Sequence, residues 1–426
     1  MAAFHPAHSR IDATISPREA GGISWQAVVV GAGPAGAATA IRLAASGLRT
    51  LLVERHHFPR DKVCGCCLSS RALGELERLG PSALPEAAVP LGAVRLAHRG
   101  RSARLPLPAG RVVSRSALDT ALVRQAIAAG AHWLPGARVT AIDDGLERPG
   151  EVATLFLQHE AATSAEPQPI AAELVVLAAG LVDHVRVKGP EPSGRAATHR
   201  IARGSRIGVG GIVLDATCGL PAGELVMAVG RHGYCGVVRL EDGRIDVAAA
   251  IDRAALATHA DPARAIAAIL AETTGLPDGH LPESTVIQAA AFHVTPALTR
   301  SAPLVAGGSG RILRIGDAAG YVEPFTGEGI GWALSSGRIL ADAILAPSGI
   351  LPPIVASARY RAAHRREFGP VHARCRFVAA ILRRPAVVAA AVASANALPW
   401  AARCIVPSVV GARPARRRVA EACVLR

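Results

Sequence analysis

Short apolar runs separated by a glycine-rich turn occupy the start of the chain. Gln26-Ala-Val-Val-Val30 has the pattern of a strand buried on both faces. The spacing from Ala37 to Ser46 predicts a helix stopped by Gly47, and Thr50-Leu-Leu-Val-Glu54 predicts a second strand. Arg71–Leu79 and Ser116–Ala129 have helical spacing, the second with apolar Leu118, Leu122 and Ile127. Ala137–Ile142, Ala153–Gln158 and Glu173–Ala178 read as strands, and Val94–Leu107 alternates as strands do. Between 190 and 300 the texture changes. Runs at Ile207–Leu214, Leu225–Val229, Gly236–Leu240 and Ile245–Ala250 are cut by turns such as Glu241-Asp-Gly243, the pattern of an antiparallel sheet. Asp261 and Pro262 suit the cap and first position of a helix running to Ala271. From Arg311 the α/β character returns, with a helix expected from about Gly329 and a helical, basic remainder from about 350. Residues 1–24 are polar and irregular and are expected to form a loose arm.

Length and composition narrow the classes. The 426 residues suit two or three domains, and half of them are apolar, enough for a large core. Eight cysteines in a chain of this length do not form a disulfide framework. No secretory apolar segment occurs in residues 1–24, so a reducing cytoplasm is the expected compartment. The net charge is +14, but from Arg359 onward fourteen arginines face two acids, so this stretch alone carries +12. A near-neutral body with a basic tail argues against a nucleic-acid groove and leaves peripheral membrane contact open. Pro385–Ala402 is uncharged, yet Pro399 breaks it. A helix to Ala397 would span roughly 20 Å against the ~30 Å of a bilayer core, so a packed or interfacial helix is expected.

The opening strand, turn, helix and strand hold Gly31-Ala-Gly33-Pro-Ala-Gly36, with Glu54 closing the second strand 18 residues later. Gly31 permits the tight turn, Gly33 lets the backbone approach a pyrophosphate, and Gly36 allows the helix to pack on the strand. Pro34 and Ala35 open the helix whose N-terminus would face the phosphates, and Glu54 would take a ribose hydroxyl. This is a dinucleotide-binding signature that does not separate NAD from FAD.

A second motif does. Arg314-Ile-Gly-Asp-Ala-Ala-Gly320 and Glu323-Pro-Phe-Thr-Gly-Glu-Gly329 resemble the flavoprotein hydroxylase superfamily (p-hydroxybenzoate hydroxylase-like). Within it, the likeness is to the geranylgeranyl reductase-like FAD-dependent oxidoreductases. The resemblance implies that Gly316 and Asp317 hold the FAD ribityl chain. It places Gly327 and Gly329 in a turn whose N–H groups face the pyrimidine edge of the flavin. Phe58-Pro-Arg-Asp-Lys-Val-Cys-Gly65, Arg115 with Leu118-Asp119, and Val139 match further family segments. They put Arg55, Arg115 and Val139 along the FAD. Two departures matter. Ala179-Gly180 lacks the acid of the family's Asp-Gly motif, which bears on NAD(P)H, the expected donor. Tyr234-Cys-Gly-Val-Val-Arg239 keeps only the tyrosine of the prenyl reductases' substrate motif.

The fold expected is therefore a Rossmann-like FAD-binding domain with an inserted antiparallel β-sheet substrate domain and a helical C-terminal extension, α/β in class and α+β overall. The expected division is an arm over 1–24; an FAD domain over 25–92, 112–184 and 303–347; a substrate domain over 93–111 and 185–302; and a basic helical extension over 348–426. The likeness also sets Cys64-Gly-Cys66-Cys67 beside the flavin ring. A thiolate there could donate a proton, bond the flavin or cycle as a redox pair; small buried packing residues are the alternative. A zinc site with His56 or His57 is not expected, because adjacent cysteines chelate one ion poorly. Cys64, Cys66 and Tyr234 are the candidate catalytic residues, and His232 is a further acid–base option. The leading expectation is monooxygenation of a small hydrophobic or aromatic molecule. The alternatives are C=C reduction of the geranylgeranyl reductase type, or a non-catalytic FAD-binding or docking role.

Overall fold

The structure is a computed structural model. It describes residues 9–397, apart from 147–151, 161–165, 182–184, 189–198, 274–275 and the single positions 260, 278, 324, 326 and 348. The first sheet is centred on the strand Trp25–Val30, parallel to Thr50–Val53 on one side and to Gln168–Leu177 on the other. Ile312–Arg314 also runs parallel to Gln168–Leu177, so the late motif returns to the sheet that the first motif opened. The helices Pro34–Ala45, Arg115–Ala128 and Gly329–Ile344 cover one face, where Val29, Leu43, Leu52, Leu122 and Leu340 form one buried cluster. The first helix begins at Pro34, three residues before the apolar periodicity suggested, because proline needs no N–H at a helix start.

The second sheet has eight strands. Ile207–Val213, Ile245–Ile251, Gly233–Arg239 and Glu224–Gly230 pair antiparallel in that order. Glu224–Gly230 then pairs in parallel with Val89–His98, which forms a hairpin with Arg101–Val112. The sheet is thus not antiparallel throughout. Its single parallel joint lies where two distant chain segments meet, which no hairpin connects. The hairpin also starts at Val89, ahead of the alternation read from Val94. Cys67–Leu68 pairs with this sheet's edge, tying the cysteine loop to it.

Residues 9–24 are not a loose arm. Ile11 and Ile15 are buried, and a capping box of Ser16 and Glu19 starts a one-turn helix, Pro17–Gly21. Two apolar side chains among polar ones suffice to pin a segment that has no periodicity of its own. At the other end, the helix Pro353–Ile381 packs on Gly329–Ile344, and Pro385–Ala397 turns away by 99° to lie on the Arg101–Val112 strand. No single helix among the described residues is long and apolar enough to cross a membrane. The tail beyond 397 lies outside the described residues.

Candidate active site

Two cavities meet between the sheets. One of about 280 Å³ lies over the C-terminal ends of the first sheet's strands. The other, about 390 Å³, lies between the glycine turn, the cysteine loop and the second sheet. They share Gly33, Arg55, Lys62, Ala178 and Ala179, so together they make one elongated slot. The join is at the N-terminus of the helix Pro34–Ala45.

The smaller cavity is built by local backbone. Gly31 has φ +103°, and a Cβ there would lie 2.5 Å from the Ala178 carbonyl oxygen. A Cβ on Gly36 would lie 1.8 Å from the Gly31 oxygen, so the helix can cross the turn only on glycine. A Cβ on Gly33 would meet only the Arg115 guanidinium, at 3.9 Å. Glu54 is buried; its carboxylate accepts from the Ala32 N–H at 3.0 Å and the His56 N–H at 3.2 Å. Glu54, Arg55, His56 and Val139 line this end. His57 instead bonds Glu160 and Arg10.

The larger cavity gathers residues from across the chain. Pro34, Ala35, Arg115, Asp317, Gly327 and Gly329 line it. Gly316 has φ +56°, its N–H donates to Ser336 Oγ at 3.0 Å, and a Cβ on it would lie 2.8 Å from that of Ala35. The two chemical motifs therefore touch. Burial raises the Asp317 carboxyl, against the pull of Lys62 and Arg115. The helices Pro34–Ala45 and Gly329–Ile344 both open on this slot with no side-chain cap, whereas Ser69 and Ser114 cap the neighbouring helices. Uncapped N–H groups at two helix starts favour anionic oxygens.

Arg115 is held by two bonds to Asp119, at 3.0 and 2.7 Å, and reaches Cys64. A hydrogen bond from Cys66 lowers the Cys64 thiol to about 6; burial opposes this and Arg115 adds to it. Burial drives Cys66 and Cys67 the other way, helped at Cys66 by its bond to Cys64. The loop therefore presents one acidic thiol and two held neutral, a distinction the sequence does not show.

The second sheet roofs the cavity with small side chains. Register places Gly210, Ala248, Gly236 and Met227 in one row and Gly208, Ala250, Tyr234 and Val229 in the next, all on the cavity side. The alternate positions Val209, Cys235, Val237 and Val247 pack away from it against helix Pro262–Ala271. Tyr234 lines the cavity edge-on to Phe325, with Arg206 5.5 Å from its ring centre. Burial and Glu323 keep its hydroxyl neutral. His232 is exposed in a turn and does not line the cavity.

The structure adds residues that the motifs did not single out. Arg206 is paired with Glu323 at 3.0 Å, both buried, and braces Tyr234 from below. Asp246 sits among the cysteines. Its signal was legible: a lone acid at an inward position of Ile-Asp-Val-Ala-Ala-Ala-Ile.

The slot fits an elongated dinucleotide. The phosphates would lie at the uncapped helix start, a ribose at Glu54, and a flavin between Asp317 and the Gly327–Gly329 turn. A bound flavin would supply hydride chemistry to the larger cavity. Residues 24–206 match the FAD binding domain family. A menaquinone reductase of Mycobacterium tuberculosis is 29% identical over 340 residues, covering 75% of this chain and 76% of that protein. A flavin-dependent brominase has a similar structure, with a TM-score of 0.70 and 17% identity over 92% of this chain and 94% of that one. A geranylgeranyl bacteriochlorophyll reductase-like protein of Thermoplasma acidophilum superposes with a TM-score of 0.67, at 18% identity over 90% of this chain and 96% of that one. A slot shaped for a dinucleotide, a matching FAD-binding segment and a shared flavoprotein fold make this chain an FAD-dependent oxidoreductase, similar in fold to the geranylgeranyl reductase-like proteins and flavin-dependent halogenases.

Proposed function

We propose that the chain is an FAD-dependent C=C reductase acting on a long apolar substrate, of the prenylated quinone class named for its mycobacterial relatives. The observation that carries this reading is Cys64. Reducing a double bond needs a hydride on one carbon and a proton on the other. The flavin supplies the first when bound. Cys64 stands in the same cavity with a thiol whose proton affinity lies close to neutral pH, where a general acid is most effective. Arg115 orients the sulfur and stabilises its charge after the proton has left. Leu225, Met227, Ala248 and Ala250 give the substrate an apolar wall and exclude water from the transfer. Hydroxylation is placed first from the sequence; the relatives named menaquinone reductase and the long apolar wall of the cavity favour reduction instead.

NAD(P)H is the proposed electron donor. The basic helix Pro353–Ile381 and the uncharged helix Pro385–Ala397 after it are the proposed membrane contact, through which an apolar substrate would enter. The test is anaerobic. Enzyme reduced with dithionite is mixed with a short-chain prenylated naphthoquinone. Reoxidation of the flavin with a product that stays heavier by two hydrogens after air has returned its ring to the quinone supports the reading; a gain of two hydrogens that air reverses overturns it. Turnover only with oxygen, and a product heavier by one oxygen atom, overturns it.

A further inference from the structure

We propose that the helix Pro385–Ala397 is a displaceable cover over an extension of the substrate cavity, a groove that takes the far end of a long isoprenoid or alkyl tail. The proposal deepens the reductase reading and rests on it for the identity of the substrate. The groove itself is defined by this chain's own residues.

The floor of the groove continues the roof of the cavity. Leu225 and Met227 line the flavin-side cavity. Their partners on the parallel strand Val89–His98 are Val94 and Leu96, which pair in turn with Leu105 and Ala103 on Arg101–Val112. Paired residues point to the same face, so one apolar strip runs from the cavity across both strands. The opposite face is polar there, where Arg95 and Arg104 donate to Glu224 at 2.6 and 2.7 Å. The helix Pro385–Ala397 lies on these two strands, over the strip. Its Val388 packs in one cluster with Val94, Leu96 and Met227. Leu382, in the elbow that precedes the helix, joins the same cluster with Tyr234, Leu298 and Phe325, all of which line the cavity. The elbow and the helix therefore close the cavity on this side.

The cover is lightly held. Of its 13 residues, Val388 and Val392 are buried. Asn396 Nδ2 donates to the Ser102 carbonyl at 2.8 Å. At the elbow, Arg383 donates to Asp252 at 3.0 Å and to the Gly204 carbonyl at 2.6 Å. Asp252 is shared: Arg206 donates to it at 3.1 Å and to Glu323 at 3.0 Å. Departure of Arg383 thus leaves the buried pair behind Tyr234 in place. The outer face of the cover is apolar as well. Ala386, Val387, Ala390 and Ala391 are exposed, and so is Phe377 before the elbow, at 66%. A helix apolar on both sides has a second stable position, in a lipid surface. Arg376, Arg383 and Arg384 are exposed beside it and suit anionic headgroups.

With the helix lifted, a tail lying along Val94 and Leu96 replaces Val388 and Val392, so apolar burial is exchanged and not lost. A short tail ends within the cavity and leaves the helix seated. A long one needs the groove.

The test uses the oxidised, FAD-loaded full chain. The probes are naphthoquinones carrying one or four isoprene units, and the free isoprenoid alcohols of the same lengths. Binding of the quinones is read from the flavin spectrum, and amide hydrogen exchange is read by mass spectrometry. Four-unit probes are expected to speed exchange in residues 385–397 several-fold, and one-unit probes to leave it unchanged. Val388→Ala and Arg383→Gln each loosen the seated cover. The four-unit quinone should bind either variant about fivefold more tightly or better, with the Kd of the one-unit quinone unchanged. Arg383 is exposed, so its variant keeps the test decisive if the valine variant folds poorly, and retained FAD reports on the fold. Unchanged exchange with saturating four-unit quinone overturns the cover. So do equal long-to-short Kd ratios in wild type and both variants, or failure of every probe to bind. Alcohols that open the helix where no quinone binds overturn the substrate reading and leave the cover standing. A quinone that opens the helix but is not reduced anaerobically overturns the reductase reading alone.

Discussion

The two halves of the slot are built in opposite ways. At the nucleotide end, one contiguous stretch supplies the strand, turn, helix and acid, and contacts within it are so close that the residue types are dictated by backbone. At the ring end, residues near 64, 115, 210, 234, 248, 317 and 327 converge from both sheets. There the constraint is small volume and placement, met by Gly and Ala in a strand register. Identity at the first end is set by local geometry and at the second by what lies across the cavity. Substitutions at the first end should therefore abolish cofactor binding. Those at the second should spare it and change chemistry or substrate.

The largest effect is expected from Gly36→Val, whose side chain would begin 1.8 Å from a backbone oxygen. The purified variant should carry no FAD and lose the stabilisation FAD confers on the wild type in thermal unfolding. Normal FAD content would break the contrast at its strongest point. Next is Cys64→Ser. The serine hydroxyl is a far weaker acid, so the anaerobic rate should fall about 100-fold or more while FAD content holds. In the wild type, thiolate absorbance should rise as pH passes about 6, and this rise should vanish in the variant.

A moderate effect is expected from Ala248→Leu, which fills the roof row between Gly210 and Gly236. KM for the long probe should rise several-fold with FAD retained. An unchanged KM would show that substrate does not use this row. The smallest effect concerns the helix Pro353–Ile381, which braces the two ends of the late motif through the Tyr360 hydroxyl, donating to the Arg314 carbonyl at 2.8 Å, and through Arg374 on Glu328 at 2.8 Å. On it, burial holds His364 and His372 neutral, lowering both to about 4. Since the folded values are depressed, the unfolded chain binds more protons between about 6.5 and 4. Stability should decline as pH falls through that window, by a few degrees in Tm at most. His364→Phe should flatten the decline if the helix is as well packed as Phe368 and Trp332 beside it suggest.

How much was legible follows the same division. The strand Trp25–Val30, the helix Pro262–Ala271 and the helix Pro385–Ala397 could be read almost to the residue, because periodicity and capping are local. So could the glycine turn, whose residue types are demanded by their own backbone, and Glu54 at the end of the next strand; the Gly316-Asp317 motif was legible only through its resemblance to a family. The sequence also marked Cys64 and Cys66 as chemically notable, without separating them. Their difference arises from one shared S–H bond, from Arg115 some fifty residues away, and from Asp246 on another strand. The parallel joint in the second sheet, the packing of residues 9–24 and the exclusion of His232 from the cavity were likewise decided in three dimensions. Backbone geometry and periodicity are properties of neighbours in the chain, and sequence carries them. Proton affinity, cavity shape and strand adjacency are properties of neighbours in space, and only the folded chain assigns those.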